Sequence, residues 1–201
     1  MDTMPTASMS NVFKRTWNSA LRSDSKSTAG LARATYFSEM PSQPPDLAVL
    51  VEALNRHDVR WVLIGGLALM LHGGNYPTMD ADVAFAPDWD NVDRLVEGLA
   101  HLNPRPVRAR KGFYEWDRKA TTGPFVRLTT DAGEIDLIRR LPGIDSFESL
   151  YERSTERVLY GLKFRIASLD DLIAMKSGSA RTKDQLQLLE LHALKKLQST
   201  S

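Results

Sequence analysis

Apolar positions along the chain switch between two periods. After Asp46, a suitable N-cap behind the linker prolines Pro41, Pro44 and Pro45, the residues Leu47, Leu50, Val51 and Leu54 recur at helical spacing and predict a helix to about Arg56. Trp61–Ile64 is an apolar run of strand length, broken by Gly65-Gly66. Leu67–His72 then reads as a short buried helix closed by Gly73-Gly74. In Asp80-Ala81-Asp82-Val83-Ala84-Phe85, polar or small residues alternate with apolar ones, the period of a strand, and Pro87 stops it. Asp88 or Asp90 caps a helix carrying Val92, Leu95, Val96 and Leu99.

Residues 103–124 are rich in Pro, Gly and Arg and read as loop with some irregular strand. Phe125–Thr130 and Ile135–Ile138 are strand-like, joined by the turn residues Asp131-Ala132-Gly133. Phe147–Glu152 forms a helix behind Ser146, and Arg157–Tyr160 and Lys163–Ile166 flank Gly161-Leu162 as a hairpin. Ser168-Leu169-Asp170-Asp171 resembles a capping box with Asp in place of Glu and opens a helix to Lys176. A last helix, Asp184–Leu197, turns Leu186, Leu189, Leu191 and Leu194 inward and sets Lys195-Lys196 near its C-terminus. There is no internal repeat. Helices alternate with strands, and the tight turn between the 125–138 strands makes the sheet mixed: an α/β (α+β) fold.

Composition narrows the classes of function. Of 201 residues, 42% are hydrophobic and 25% charged, which is globular. Lys+Arg of 26 against Asp+Glu of 25 leaves a net charge of +1, so nucleic acid would have to be bound by a local patch. The absence of cysteine removes disulfides, thiolate zinc sites and Cys nucleophiles, and suits a cytoplasmic protein. No apolar run approaches the roughly 20 residues of a membrane span. Residues 1–40 differ from the rest: they are rich in Ser and Thr, carry Lys14, Arg15, Arg22, Lys26 and Arg33, and read as a flexible extension before a domain over 41–201, whose C-terminal helical segment spans about 168–198.

Candidate chemistry concentrates in one stretch. Residues two apart on a strand share a face, so Asp80 and Asp82 project together. Paired carboxylates suit Mg²⁺, which takes one or two of them plus substrate phosphates. Glu134 and Asp136 obey the same alternation on a second strand, and Asp131 is close by; any of the three could complete a set of acids around two metal ions, the arrangement for in-line phosphoryl displacement. Gly65 and Gly66, between a strand and a helix, let backbone N–H groups approach a phosphate. The spacing is neither a P-loop nor a dinucleotide fingerprint.

The string Gly65-Gly66-Leu67-Ala68-Leu69-Met70-Leu71-His72-Gly73, followed by Thr78-x-Asp80-x-Asp82, resembles the nucleotidyltransferase (polymerase-β-like) superfamily. Within it, the chain looks most like the AbiEii/MenT-type toxins of bacterial toxin–antitoxin pairs. Ser168–Lys176, with Arg181-x-Lys183-Asp184 after it, is similar to a late segment of that group, and the likeness covers about 60–200. It implies a polymerase-β-like core, a mixed sheet flanked by helices with C-terminal helices. It further implies metal ligands at Asp80, Asp82 and Asp136, with Asp136 also a candidate base. Gly65 and Gly66 would face the triphosphate, Lys176 would neutralise phosphate charge, and Asp184 would orient that lysine. Gly66 stands where many members have Ser, and Tyr76 where an Arg often precedes the Thr-x-Asp-x-Asp run. Arg181 and Lys183 are the candidates to supply the missing charge.

The resemblance implies transfer of a nucleotide, from CTP or UTP with Mg²⁺ (two ions possible), to the 3′ end of tRNA, blocking translation, under restraint by a cognate antitoxin. Thr78, two residues before Asp80, is a candidate regulatory site: a phosphate there would compete for the metal ions, and a kinase antitoxin could place it. Arg105, Arg108, Arg110, Lys111, Arg118 and Lys119, interleaved with Phe113, Tyr114 and Trp116, form a candidate RNA-gripping loop; the alternative is a solvated loop packed down by its aromatics. Rival readings are a nucleotidylyltransferase acting on a protein or small molecule, and a catalytically idle partner-binding module.

Overall fold

The computed structural model describes residues 44–107 and 114–199. The 1–40 extension, Pro41 and the loop residues Arg108, Arg110, Lys111 and Phe113 lie outside the described residues. The chain order is α1 (Leu47–Arg56), β1 (Trp61–Ile64), α2 (Gly65–Leu71), β2 (Asp80–Phe85), α3 (Trp89–Ala100), β3 (Arg105–Pro106), a 3-10 turn (Arg118–Thr121), β4 (Phe125–Thr130), β5 (Gly133–Ile138), α4 (Phe147–Arg153), β6 (Thr155–Leu159), β7 (Leu162–Ile166), α5 (Leu169–Ser177) and α6 (Thr182–Gln198).

The seven strands form one mixed sheet in the order β3-β4-β5-β2-β1-β7-β6. β1 runs antiparallel to β2 and parallel to β7; β2 runs parallel to β5. The hairpins β4–β5 and β6–β7 are antiparallel. β1 is buried at every position, as a central strand with elements on both faces should be. Leu50, Leu54, Leu63, Phe85, Leu95, Leu99, Leu128 and Leu137 are among the fully buried side chains. Helix α1 packs on α3 and β7, α2 lies on β1 and β2, and α5 and α6 pack on each other and reach α2. No helix among the described residues is long and apolar enough to cross a membrane.

Local chemistry sets the boundaries. The Asp46 side chain accepts from Val49 N, and its own N–H donates to Ala132 O at 2.8 Å, tying α1 to the β4–β5 turn. Asp88, not Asp90, caps α3, and Ser146 and Ser168 cap α4 and α5. Three expectations shift. The glycine pair is not a spacer before α2 but its first turn. The β6–β7 turn is Tyr160-Gly161 instead of Gly161-Leu162; both have positive φ (54° and 81°), which matches the right-handed twist of a two-residue hairpin. Leu189 points outward, 70% exposed. Asp184, Gln187 and Leu191 define the inner face of α6, and Leu189 stands about 200° around the helix from Gln187.

Candidate active site

Strands β1, β2, β4 and β5 and helices α2, α5 and α6 line a cleft of about 550 Å³. The strand wall follows from register. In the parallel β2–β5 pair, Asp80 lies beside Glu134 and Asp82 beside Asp136. Carboxylate oxygens of Asp80, Asp82 and Asp136 all come within 4.8 Å of one another. Of the three candidates for a third acid, Asp136 is the one in the cluster. Asp131 stays at the hairpin turn, accepting from Asn103 Nδ2 at 2.5 Å with Arg105 Nη2 at 3.8 Å. Glu134, opposite Asp80, is not among the three grouped acids.

The charge of this cluster is under-compensated. Loss of hydration, then the carboxylates of Asp80 and Asp136, push the Asp82 carboxyl up to about 7 from an ordinary 3.8; the positive charges of Lys183 and Lys176 act the other way. Asp136, 1% exposed, is also raised, first by burial, with Arg127 opposing. Three clustered hard oxygen donors, with Asp82 and Asp136 both held toward the protonated form, fit Mg²⁺.

Arg127 was not singled out from the sequence. Its Nε and Nη2 donate to Asp136 Oδ1 and Oδ2 at 2.9 and 2.6 Å, and Nη2 also reaches Asp80 Oδ2 at 3.3 Å. The signal was available: a hairpin closing Thr130 on Gly133 places Arg127 opposite Asp136. Arg127 therefore covers two of the three acids, yet the cleft beside it remains open.

The glycines abut this wall. Gly65 has φ +65°, and a Cβ there would stand 1.9 Å from Asp82 Oδ2, so both backbone and space require glycine. A Cβ at Gly66 would stand 2.7 Å from Thr78 Cβ. Thr78 is fully buried, and its hydroxyl donates to Asp80 Oδ1. Tyr76 is buried in the core, away from any phosphate role. His72 bonds Ala167 O through Nε2 at 2.8 Å, which joins α2 to β7.

The helix wall is basic and already paired. Lys176 Nζ donates to Asp184 Oδ1 at 2.9 Å, and Ser179 Oγ to Asp184 Oδ2 at 2.6 Å. Arg181 Nε is 3.0 Å from Asp184 Oδ2. Burial opposes ionisation of Asp184, but the bonds from Ser179 and Lys176 prevail and hold its carboxyl below the ordinary range. Lys183 also lines the cleft, so all four residues expected from the late segment line it together with Gly65 and Gly66. Gln187, not foreseen, lines the same wall.

The candidate RNA loop is only partly described. Trp116 Nε1 donates to Val96 O at 2.7 Å, and Tyr114 and Trp116 pack on the core, so these two rings point inward. Arg118 pairs with Asp93 at 2.7 Å. Phe125 is an exposed ring that lines the cleft, with Arg127 5.7 Å from its centroid; the exposed Trp89 is outside the lining, with Arg118 and Arg139 each 5.6 Å from its centroid.

The chain is similar in fold to solved nucleotidyltransferase structures. The lincosamide antibiotic adenylyltransferase LnuA, solved with lincomycin bound, superposes with a TM-score of 0.52 at 13% identity, covering 74% of this chain and 96% of that one. ANT(2'')-Ia, solved in complex with adenylyl-2''-tobramycin, gives 0.49 at 13% identity over 77% and 93%. A nucleotidyltransferase-like protein from Paracoccidioides brasiliensis gives 0.49 at 16% identity over 76% and 75%. No curated protein matches the sequence. Residues 46–199 match the family described as nucleotidyltransferase of unknown function (DUF6036), which spans every element of the cleft. The chain belongs to this DUF6036 nucleotidyltransferase family.

Proposed function

We propose that the protein is a Mg²⁺-dependent toxin of the AbiEii/MenT type that transfers a pyrimidine nucleotide from CTP or UTP to the 3′ end of tRNA. The observation that carries the reading is the Asp80–Asp82–Asp136 cluster set across one cleft from the Lys176–Asp184 pair. Bound by the three acids, Mg²⁺ supplies charge neutralisation at the α-phosphate and acidifies the attacking hydroxyl. The chain's own groups do the rest. Gly65 and Gly66 admit the triphosphate close to the backbone, and Lys176, aimed by Asp184, neutralises the departing pyrophosphate. The hydroxyl oxygen bonds to the α-phosphorus as the bond to the β-phosphate oxygen breaks. Asp136 takes the hydroxyl proton on a carboxylate oxygen once Arg127 gives up its hold there.

The acceptor is argued from charge. Arg127, Arg140, Lys176, Arg181 and Lys183 line the cleft, and Arg140 makes no ion pair among the described residues. Arg127, Lys176 and Arg181 are paired with acids of the same cleft, so Arg140 is the cation there that offers a phosphate backbone a contact without giving up an ion pair, and Phe125 offers an exposed ring for stacking. A small-molecule acceptor is the second reading, supported by the fold likeness to LnuA. Restraint comes from a cognate antitoxin, and phosphorylation of Thr78 by it is the form we favour; because Thr78 is buried, the loop before β2 must open first. A cytoplasmic site of action follows from a tRNA target. The test is incubation with each labelled NTP and total tRNA, then sequencing of the 3′ ends. Extended 3′ ends are expected with CTP or UTP; label found only on protein or small molecules overturns the tRNA reading, and label nowhere overturns the enzyme reading.

A further inference from the structure

The cleft contains a polar group that neither the metal cluster nor the phosphate wall uses. Gln187 sits one turn beyond Asp184 on the inner face of α6, is fully buried, and lines the cleft. Neither its Oε1 nor its Nε2 has a hydrogen-bond partner. A primary amide offers two donors and two acceptor sites, and burying all of them unpaired forfeits its full hydration with nothing returned. Other orphaned atoms among the described residues are single ones, on His72, Arg94 and Tyr114, and none of those residues lines the cleft. The neighbouring positions Leu186 and Leu191 hold leucine, which would fill this place without that penalty.

Position says what the amide faces. Asp184, on the same helix face, holds Lys176, and that pair with Gly65 and Gly66 marks the phosphate end of a bound nucleotide. Leu172 and Met175, three apart on α5, add an apolar lining suited to the face of a ring. Resting on the nucleotidyltransferase reading above, we infer that the Gln187 carboxamide reads the base of the donor nucleotide through one donated and one accepted hydrogen bond. The amide turns end for end at little cost, so it meets uracil, with its N3–H donor and O4 acceptor, or cytosine, with its N4–H donor and N3 acceptor. Acceptance of both CTP and UTP follows from one side chain.

The experiment compares wild type with Gln187→Leu by calorimetry, using CTP, UTP, 2′,3′-dideoxy-CTP and inorganic tripolyphosphate, alongside thermal melting without ligand. Expected for Gln187→Leu are about tenfold weaker binding of all three nucleotides, unchanged tripolyphosphate binding, and a higher melting temperature. A structural amide satisfied by buried water predicts the opposite pair: unchanged nucleotide binding and a lower melting temperature. That result overturns the inference, as does equal loss of tripolyphosphate, or a loss for CTP absent with the dideoxy analogue, which would place the amide on the ribose. Wild-type protein that binds CTP and UTP no more tightly than tripolyphosphate also overturns it. Wild type that binds neither nucleotide nor tripolyphosphate removes the enzyme reading itself and this inference with it.

Discussion

The two walls of the cleft solve opposite electrostatic problems in opposite ways. On the helix wall, every bond to Asp184 comes from a neighbour within eight residues, and the cations Lys176 and Arg181 are held ready before substrate arrives. On the strand wall, three carboxylates converge from β2 and β5, and the guanidinium of Arg127 reaches only two of them. The first wall is preorganised and net positive. The second is under-compensated, and the metal ions proposed to bind there would relieve it. The acid wall is then expected to cost the metal-free protein stability while serving the proposed metal site.

Breaking the strand wall should have the largest effect. Asp80→Ala is expected to lower nucleotide transfer by about 10³-fold while circular dichroism stays native. Wild-type transfer by a folded Asp80→Ala protein would end the metal-site assignment. On the other wall, Lys176→Ala is expected to cost about 10²-fold in kcat with a smaller change in KM, because the lysine acts on charge that develops as pyrophosphate leaves. Lys176→Arg should recover part of it. A loss wholly in KM would make the lysine a ground-state anchor and erase the contrast in roles.

Arg127 sharpens the comparison at intermediate size. It competes with metal for Asp80 and Asp136, so Arg127→Gln is expected to bind Mn²⁺ about tenfold tighter by electron paramagnetic resonance, and to melt lower without metal because Asp136 is left buried and unpaired. Weaker Mn²⁺ binding would show the arginine to be a prop for the site instead of a competitor. The smallest effect is on pH dependence. Asp82 keeps its proton in the folded protein up to about 7, whereas the unfolded chain releases it near 3.8. The folded state thus binds the extra proton between those values, and stability of the metal-free protein falls as pH rises through that window. Asp184 has the opposite sign: its depressed carboxyl contributes stability above the ordinary range, lost on acidification. Melting in EDTA across pH 4–8 should show a decline that Asp82→Asn flattens; an unchanged slope would mean that Asp82 titrates normally.

Much of this was legible because it is local. The alternation of Asp80-Ala81-Asp82-Val83 fixes a strand with both acids on one face, and Gly65-Gly66 after Trp61–Ile64 fixes a strand-to-helix turn. Which of Asp131, Glu134 and Asp136 joins them depends on the parallel pairing of β5 with β2, a long-range choice that no periodicity encodes. Arg127 was recoverable by counting back from the hairpin turn, since the antiparallel register follows from where the turn lies. Leu189 and Gln187 misled for one reason: the buried face of α6 carries polar residues because it borders the cleft, so hydrophobicity alone rotates the helix to the wrong phase.

The sealed hydroxyl of Thr78 has a kinetic corollary. The segment ahead of β2 is stapled to α6 by the Asn75 backbone N–H and the Glu190 carboxylate, and beneath it Thr78 lies packed against Gly66. Any enzyme that modified this threonine would have to catch the segment during local unfolding, and ligands that favour the closed state make such openings rarer. A molecule already charged with nucleotide would then be the slowest to silence, so restraint would act best on newly made or starved copies, before their first turnover.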